Sequence, residues 1–208
     1  MSTLPDNAFE PADDVDAVPR SGWRRFATEV GGDLRRHAGR SGARPKLGFL
    51  VYALLFLPGF KFIFAHRLQT LLRTVPIAGR LLSKLVWVRS CLRFGSEIAQ
   101  FAEIAPGFYT PHPYAIVIGQ CRIGPDASCL QGCTIGKRGD FDSHGPILGR
   151  GVMVGASSTI LGDVVIGDHA KIGANSVVLI DVPAGRVALG TPAKLVPAKT
   201  IVPGERTI

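Results

Sequence analysis

Two side chains in the middle of the chain, Glu97 and His112, are of the types that together can take a proton from a hydroxyl group. An imidazole acts as the general base in such a step, and a carboxylate beside it holds the ring in position. The two residues are fifteen positions apart, so they meet only if the chain returns to the same place after a loop of about that length. Glu103, nine positions from His112, is the rival carboxylate. The pair therefore predicts a proton-abstracting site, provided that the fold closes such a loop.

A six-residue repeat between residues 148 and 178 indicates a fold that closes it. Aliphatic residues recur at every sixth position, at Leu148, Val154, Ile160, Ile166, Ile172 and Val178. Small or β-branched residues follow four positions after the first five of these, at Val152, Ser158, Val164, Ala170 and Ser176. A period of six fits neither an α-helix nor an alternating strand, and it is typical of a parallel β-helix with three hexads in each coil. Stacked coils of about eighteen residues lie only about 4.8 Å apart, which places Glu97 and His112 nearly one coil apart.

The same repeat continues upstream and is interrupted once. Ile123, Cys129 and Ile135 keep the spacing of six, but thirteen residues separate Ile135 from Leu148. The register therefore slips within residues 137–146, a polar segment that carries His144. We predict that this segment is a loop projecting from one corner of the coil, and loops on rigid scaffolds commonly carry function.

The segments outside the repeat differ sharply in charge. Residues 1–20 carry a net charge of −4 and are expected to be a disordered tail, and residues 197–208 a C-terminal tail. Residues 21–95 carry fourteen lysines and arginines against two acids. We predict a short helix capped by Ser21 and broken from Gly39 onwards, then two or three amphipathic helices with basic faces. Residues 47–60 are uncharged, but fourteen residues are fewer than the ~20 that a membrane-spanning helix needs.

Two interpretations of the helical block, residues 21–95, remain open. Its apolar faces can cover the end of the coil stack or a sister subunit. Alternatively, apolar and aromatic faces flanked by cations can bind the interface of an anionic membrane, which we favour, and both can hold. Nucleic-acid binding would require a reading motif that the sequence lacks. The four cysteines form no CxxC pair and no secretory signal is present, so we expect a reducing cytoplasm, with the protein peripheral on the inner face of the plasma membrane.

The segment around His112 resembles a known signature. Residues 112–119, His-Pro-Tyr-Ala-Ile-Val-Ile-Gly, resemble the His-x-x-Gly-Ile-Val-Ile-Gly signature of serine acetyltransferases and of their exopolysaccharide (colanic acid type) O-acetyltransferase relatives. Glu97 falls where that family has an acid, and residues 144–147 fall where it has His-Pro-x-Ile. Residues 151–156 match the next motif, and residues 182–183 and 190–194 resemble the motif on the acetyl-CoA side. The resemblance covers about residues 96–196.

This resemblance implies a left-handed parallel β-helix that forms a homotrimer, binds acetyl-CoA between subunits and needs no metal. By match, His112 is the general base, Glu97 its orienting carboxylate and His144 a second active-site histidine. The implied cofactor-binding residues are Gly136, Lys137, Arg138, Gly155, Ala156, Gly173, Ala174, Pro192 and Lys194. Within this set the Gly136 N–H is a candidate oxyanion donor, and the three cations are candidates for the CoA phosphates. A solvated loop charge explains each cation equally well.

Two departures from the family pattern bear on the acceptor. Serine acetyltransferases have aspartate before the first histidine and arginine before the second, where this chain has Pro111 and Ser143. Without these counter-charges a free amino acid is disfavoured, and a neutral sugar hydroxyl needs neither. Tyr109, Tyr114 and Phe141 would supply stacking surface for a sugar ring. We therefore expect O-acetylation of a lipid-linked saccharide in surface polysaccharide biosynthesis.

Three alternatives stand beside this interpretation. The first is serine O-acetylation in cysteine biosynthesis, and the second is a non-catalytic β-helix scaffold. The third is the zinc carbonic anhydrase class of this fold, which needs two histidines five residues apart; no two of the five histidines have that spacing. His169 is expected to be a corner residue, and His37 and His66 to be structural.

Overall fold

The computed structural model describes residues 22–139, 142 and 144–196. The segments 1–20 and 197–208 lie outside these residues, as do Ser21, Phe141 and Ser143. Within the described part, four α-helices come first: α1 Gly22–Arg40, α2 Leu47–Phe56, α3 Pro58–Leu72 and α4 Ala78–Phe94. Short strands follow: β1 Glu97–Ile98, β2 Glu103–Ile104, β3 Val117–Ile118, β4 Arg122–Ile123, β5 Ser128–Cys129, β6 Thr134–Gly136, β7 Ile147–Leu148, β8 Met153–Val154, β9 Thr159–Leu161, β10 Val165–Ile166, β11 Lys171–Ile172, β12 Val177–Val178, β13 Val187–Gly190 and β14 Ala193–Val196.

The strands form the three faces of a parallel β-helix. The first face contains β1, β3, β6, β9 and β12, the second contains β2, β4, β7 and β10, and the third contains β5, β8, β11, β13 and β14. Successive strands within each face pair in parallel, except for the closing β13–β14 hairpin, which is antiparallel. The chain thus visits the first, second and third face in turn in every coil, which confirms the predicted fold.

The repeat positions line the interior of the stack. All six predicted inward residues from Leu148 to Val178 are buried, with side-chain exposure of 3% or less. The small-residue positions are buried as well, and they include Cys133, while Cys129 occupies an inward position. Both cysteines therefore pack as small apolar side chains, as expected.

The coils are not all of the predicted length. Glu97 pairs with Val117, twenty positions later, and Val117 pairs with Thr134, seventeen positions later. Thr134 then pairs with Thr159, twenty-five positions later, because the segment between β6 and β7 is a loop, as the register slip predicted. The regular length of eighteen is reached only after it, from Thr159 to Val177.

The helical block differs from its prediction in two respects. Helix α1 is 19 residues long and does not stop at Gly39. Its Gly32 instead allows the helix to approach the first coil, since a Cβ there would lie 2.6 Å from the Cβ of Pro106. The residues expected on an exposed basic face of α3, namely His66, Arg67 and Gln69, are buried. That prediction was wrong because the Arg67 guanidinium has carboxylate partners inside the protein.

A buried ion cluster joins the helices to the first coil. The Arg67 guanidinium binds the Asp33 carboxylate at 3.0 Å and Glu29 at 3.5 Å, and it also donates to the carbonyl oxygens of Ile104 and Ala105. Asp33 in turn accepts the N–H groups of residues 107 and 108 at 2.9 and 3.0 Å. Burial alone would lower the pKa of Arg67, but the two carboxylates outweigh it and raise that pKa. The first coil and the helices are therefore fixed relative to one another.

Helices α2 and α3 meet at a sharp bend. Pro58 begins α3, where its missing N–H costs nothing, and the two helix axes differ by 101°. Among the described helices none alone is long and apolar enough to cross a bilayer, and α2 and α3 meet that criterion only as a bent pair.

Candidate active site

His112 lies at the corner where the chain passes from the third face to the first. Tyr109 pairs with Ser128 on the third face, and Val117 begins β3 on the first. Pro111 and Pro113 flank His112 and restrict its backbone. The His112 side chain is exposed, so an acceptor from solvent can reach it.

The buried hydroxyl of Ser96 fixes this corner. Its oxygen accepts the N–H of Ile116 at 3.0 Å, and its proton is donated to the carbonyl oxygen of Pro113 at 2.9 Å, with that of Phe94 at 3.2 Å as the alternative. Because Ser96 directly precedes Glu97, one residue connects the strand of the acid to the segment of the histidine.

Glu97 lies on the rung next to His112. Its N–H donates to the carbonyl oxygen of Ile116 at 2.7 Å, and its side chain is exposed on the first face. Among the described residues, the Glu97 carboxylate and the His112 imidazole share no hydrogen bond. Glu103 lies on the second face and forms an ion pair with Arg122 at 3.0 Å. The stacking thus places Glu97 nearer to the corner of His112 than its rival, and the orienting role of Glu97 stays a prediction.

His144 lies at a different corner, where the chain passes from the first face to the second. It is mostly exposed, and its Nδ1 lies 3.9 Å from the Asp163 carboxylate one coil further on. The neighbouring Gly145 packs against the backbone of Gln120 at the same corner. Within one chain, His112 and His144 therefore occupy opposite edges of the first face.

A column of small residues follows the corner of His112 down the stack. Gly132 donates its N–H to the carbonyl oxygen of Tyr114 at 2.9 Å, and Asn175 donates to that of Ala156 at 2.9 Å. The predicted cofactor residues at this corner are Gly155, Ala156, Gly173 and Ala174. The turn of the β13–β14 hairpin, which carries Pro192, closes the column, with the Thr191 hydroxyl donating to the carbonyl oxygen of Asn175 at 3.0 Å. Lys194 follows in β14 and is exposed. An extended ligand arm can lie along such a column because few side chains project from it.

The other predicted cofactor residues lie at the corner of His144. Gly136 is buried at the end of β6 and pairs with Leu161. Lys137 is half-buried and Arg138 is exposed. The Arg138 guanidinium approaches the backbone of Gly162, and the main-chain N–H of Arg138 donates to the Asp142 carboxylate at 2.6 Å. One chain therefore divides the predicted cofactor residues between two separate corners.

A cavity of about 130 Å³ lies beside the segment of His112. Its walls come from the end of α1, the α2–α3 junction and the strand before His112, and they include His37, Arg40, Leu57, Pro58, Tyr109 and Pro111. The Tyr109 ring packs 4.9 Å from the His37 ring, with the Arg40 guanidinium 5.4 Å from its centre. Tyr114 is half exposed, and Phe141 lies outside the described residues.

His37, in the wall of this cavity, has one unpaired ring nitrogen. Its Nδ1–H donates to the carbonyl oxygen of Asp33 at 2.9 Å, which leaves Nε2 with a lone pair. Nε2 is buried and has no partner among the described residues. Burial lowers the pKa of His37, so the ring is neutral at pH 7.

Cys91 and Cys121 show no sign of nucleophilic chemistry. Burial raises the pKa of Cys121 to about 12, and burial contributes to a raised pKa at Cys91 too, so neither thiol is activated as a nucleophile. Over residues 22–139, 142 and 144–196, no three side chains of the metal-ligating types form a group.

Comparison with known proteins identifies the family. Residues 145–179 match the model of the bacterial transferase hexapeptide (six repeats). The serine acetyltransferase of Helicobacter pylori is 39% identical over 149 residues, which cover 69% of this chain and 84% of the relative. The chain belongs to the serine acetyltransferase family. The Synechococcus elongatus enzyme is 37% identical over 147 residues, but these cover only 59% of its length.

Solved structures of the family agree with the fold. The Neisseria gonorrhoeae serine acetyltransferase superposes with a TM-score of 0.74 at 33% identity, covering 86% of this chain and 67% of that one. A serine acetyltransferase in complex with CoA gives 0.68 at 32% identity, covering 82% and 69%. This acetyltransferase is accordingly a left-handed β-helix with an N-terminal helical block. It is an acyltransferase with acetyl-CoA as its co-substrate.

Three features of the acetyltransferase site were not predicted from the sequence. Ser96 carries no signal beyond its position before Glu97. His37 was interpreted as structural. Its position in the cavity wall could not be predicted, because the cavity is formed by segments far apart in sequence. The Arg67–Asp33 contact spans 34 positions. The only available hint for it was the single pair of acids, Glu29 and Asp33, in an otherwise basic block.

Proposed function

We propose that the enzyme transfers the acetyl group of acetyl-CoA to the hydroxyl oxygen of a small acceptor, with L-serine as the first candidate. The observation that carries the proposal is the stacking of the Glu97 rung on the His112 segment, held by Ser96. L-serine is supported by relatives that are 37–39% identical and carry the name serine acetyltransferase. One solved family member, 33% identical, was crystallised in complex with serine.

In this mechanism His112 takes the proton from the acceptor hydroxyl. The oxygen then forms its bond to the acetyl carbon, the carbon–sulfur bond breaks, and His112 returns the proton to the leaving sulfur. The products are the O-acetyl acceptor and CoA as a thiol. Glu97 orients the ring and stabilises its charged form while the proton resides there, and the N–H of Gly136 is the candidate donor to the carbonyl oxygen.

A homotrimer completes the site in this proposal. The column below His112 and the corner of Gly136, Lys137, Arg138 and His144 lie at opposite edges of one face. In a trimer with a threefold axis, each three-faced β-helix packs one of its corners against a different corner of the next chain. A heterologous interface of this kind joins the two halves of the predicted CoA groove, which one chain keeps apart.

A neutral saccharide hydroxyl is the second candidate acceptor. One observation favours it: Pro111, directly before His112, carries no charge. The adjacent cavity is lined by Tyr109, and a sugar ring can pack on that aromatic side chain. A free amino acid would find no counter-charge at position 111.

Thiol release from acetyl-CoA tests the proposal and separates the candidates. Release with L-serine above the hydrolysis rate, lost in His112→Ala, supports serine. If thiol is released only with members of a panel of neutral saccharides, the acceptor is a saccharide and not L-serine. If acetyl-CoA binds but neither class of acceptor accelerates release, transfer to a hydroxyl is refuted.

A further inference from the structure

Helix α2 exposes an unusual amount of apolar surface. None of its ten residues is charged, and only Ala53 is buried. Five large side chains are exposed by about half or more: Leu47 78%, Val51 51%, Tyr52 47%, Leu55 61% and Phe56 65%. The rings of Phe49, Tyr52 and Phe56 follow one another along the helix at centroid distances of 5.9 and 5.3 Å. Contiguous apolar surface of this kind marks an interaction site on a soluble domain.

The following helix also contains large apolar side chains, but it buries them. In α3, Phe60, Phe62 and Ile63 are at most 1% exposed, because α3 packs between α1 and α4. The bend of 101° at Pro58 separates the two helices. Of these two helices, α2 is the one whose apolar side chains are free to enter a lipid phase, and its ten residues, about 15 Å long, cannot span a bilayer.

Cations lie at both ends of α2. Arg44 and Lys46 precede it and are exposed, and the Lys61 ammonium donates to the carbonyl oxygen of Leu55 at 2.9 Å near its other end. No aspartate or glutamate occurs between Leu34 and Ser96. The surface around α2 is thus apolar and positively charged, with no acid of its own segment to neutralise it.

We propose that α2 docks in the plane of an anionic bilayer surface. Its apolar side chains would enter the boundary between headgroups and acyl chains, and Arg44 and Lys46 would contact the phosphates. Tyr52 and the neighbouring phenylalanines suit this boundary, where aromatic rings concentrate. A second copy of the chain fits less well, because a symmetric α2–α2 contact would bring the same cations together without a carboxylate from residues 34–96.

Docking at α2 would bring the acceptor side of the active site to the membrane. Leu57, which lies between α2 and α3, and Pro58, the first residue of α3, form one wall of the cavity that Tyr109 and Pro111 also line. His112 is the next residue along the chain. The proposal does not depend on which hydroxyl is acetylated, since it concerns where the enzyme resides.

Vesicle flotation of the full-length protein tests this proposal. The probes are vesicles of phosphatidylcholine alone and of phosphatidylcholine mixed with phosphatidylglycerol. We expect flotation with the anionic vesicles only. The triple variant Val51→Ser/Leu55→Ser/Phe56→Ser should lower the partition coefficient more than about 100-fold, from the apolar area withdrawn. Arg44→Gln/Lys46→Gln should lower it about 30-fold, at about fivefold per cation.

The matched control is Leu81→Ser/Leu85→Ser on α4, whose leucines are exposed to a similar degree. This variant should float like the wild type. Circular dichroism melting and acetyl-CoA binding establish that every variant is folded. Three results would each overturn the proposal. The wild type could fail to float with anionic vesicles, the triple variant could float as well as the wild type, or the α4 variant could lose as much flotation as the triple variant. A triple variant that changes the molar mass by light scattering and still floats would instead assign α2 to a subunit interface.

Discussion

Replacing Ser96 by alanine isolates the contribution of the contact that joins the acid strand to the histidine segment. The Ser96 side chain is 4% exposed, and its hydroxyl bonds the N–H of Ile116 at 3.0 Å and the carbonyl oxygen of Pro113 at 2.9 Å. Ser96→Ala removes both bonds without removing any group expected to touch substrate. It also leaves the main-chain pairing of β1 with β3 in place.

The magnitude follows from the two groups that lose their partner. A buried N–H or C=O left without a hydrogen bond costs about 1–3 kcal/mol, so the loss of both partners should lower the free energy of unfolding by about 2–6 kcal/mol if the segment stays in place. If the segment instead moves to regain those bonds, His112 moves with it. A displacement of about 1 Å at a catalytic group can lower the rate about 10²-fold.

Both effects can be measured, with a control inside the same chain. Ser83 is also buried, and its hydroxyl donates to the carbonyl oxygen of Gln69 at 3.1 Å, within the helical block. Ser83→Ala should lower the free energy of unfolding by about 1 kcal/mol and leave kcat unchanged. Ser96→Ala should lower kcat at least about tenfold with little change in the KM for acetyl-CoA, because the small-residue column is not altered.

A kcat of Ser96→Ala equal to that of Ser83→Ala would refute the reasoning. It would mean that the prolines on either side of His112 hold the segment without the hydroxyl. A rise in the KM for acetyl-CoA at constant kcat would also contradict it, since the hydroxyl would then act on cofactor binding.

Three further changes test other parts of the structure. His112→Ala should lower kcat about 10²–10⁴-fold, the usual contribution of a general base, while His169→Asn, at a corner outside the site, should leave thiol release unchanged. Arg67→Met should lower the free energy of unfolding by about 3–5 kcal/mol because the buried Asp33 carboxylate loses its cation, while Glu29 keeps its ion pair with Arg25. Arg122→Met, in an exposed pair, should cost less than about 1 kcal/mol; urea denaturation measures both. Burial lowers the pKa of His66 to about 3, so below pH 6.5 the unfolded chain binds a proton that the folded chain does not bind until about pH 3. Stability should therefore fall between pH 7 and pH 5, and less so in His66→Gln; urea midpoints that fall equally in both proteins would exclude this ring as the cause.

The coil stack could be predicted because its signal is local and repeated. Each hexad places one aliphatic residue inward, as at Leu148 and Ile160, and the next coil repeats the same environment. The single register slip located the loop of His144 for the same reason. The length of the first coil could not be predicted, because Glu97 pairs twenty positions away and no repeat precedes it to set the register.

The helical block was harder to predict because its signal is tertiary. Helices α2 and α3 are both apolar, yet Val51 is exposed and Phe62 is buried. Composition alone would predict the reverse, because α3 carries Lys61 and Arg67 and α2 has no charged residue. The difference arises from α3 packing against α1 and α4. Arg67 looked like part of a basic face, and only its distant partner Asp33 makes its burial tolerable.

The separation of His112 and His144 leads to a prediction that distinguishes a site shared between two subunits from a site within one chain. His112 and His144 lie at opposite edges of the first face, so each complete site in the proposed trimer takes one histidine from each of two neighbours. His112→Ala and His144→Ala are both expected to be inactive alone. Co-expressed in equal amounts, they should recover about one quarter of wild-type activity, the fraction of interfaces that pair two intact histidines.

The control for this recovery is His112→Ala mixed with Glu97→Gln. These two residues lie on adjacent rungs of one chain and serve the same site, so mixing cannot restore both to any site. Recovery in this control as well would mean that subunit mixing raises activity for another reason. Absence of recovery with the His144→Ala partner, in trimers shown by mass spectrometry to be mixed, would mean that the loop of His144 serves the site of its own chain. In that case acetyl-CoA would bind along the column below His112 without contacting Lys137 or Arg138, which lie at the corner of His144.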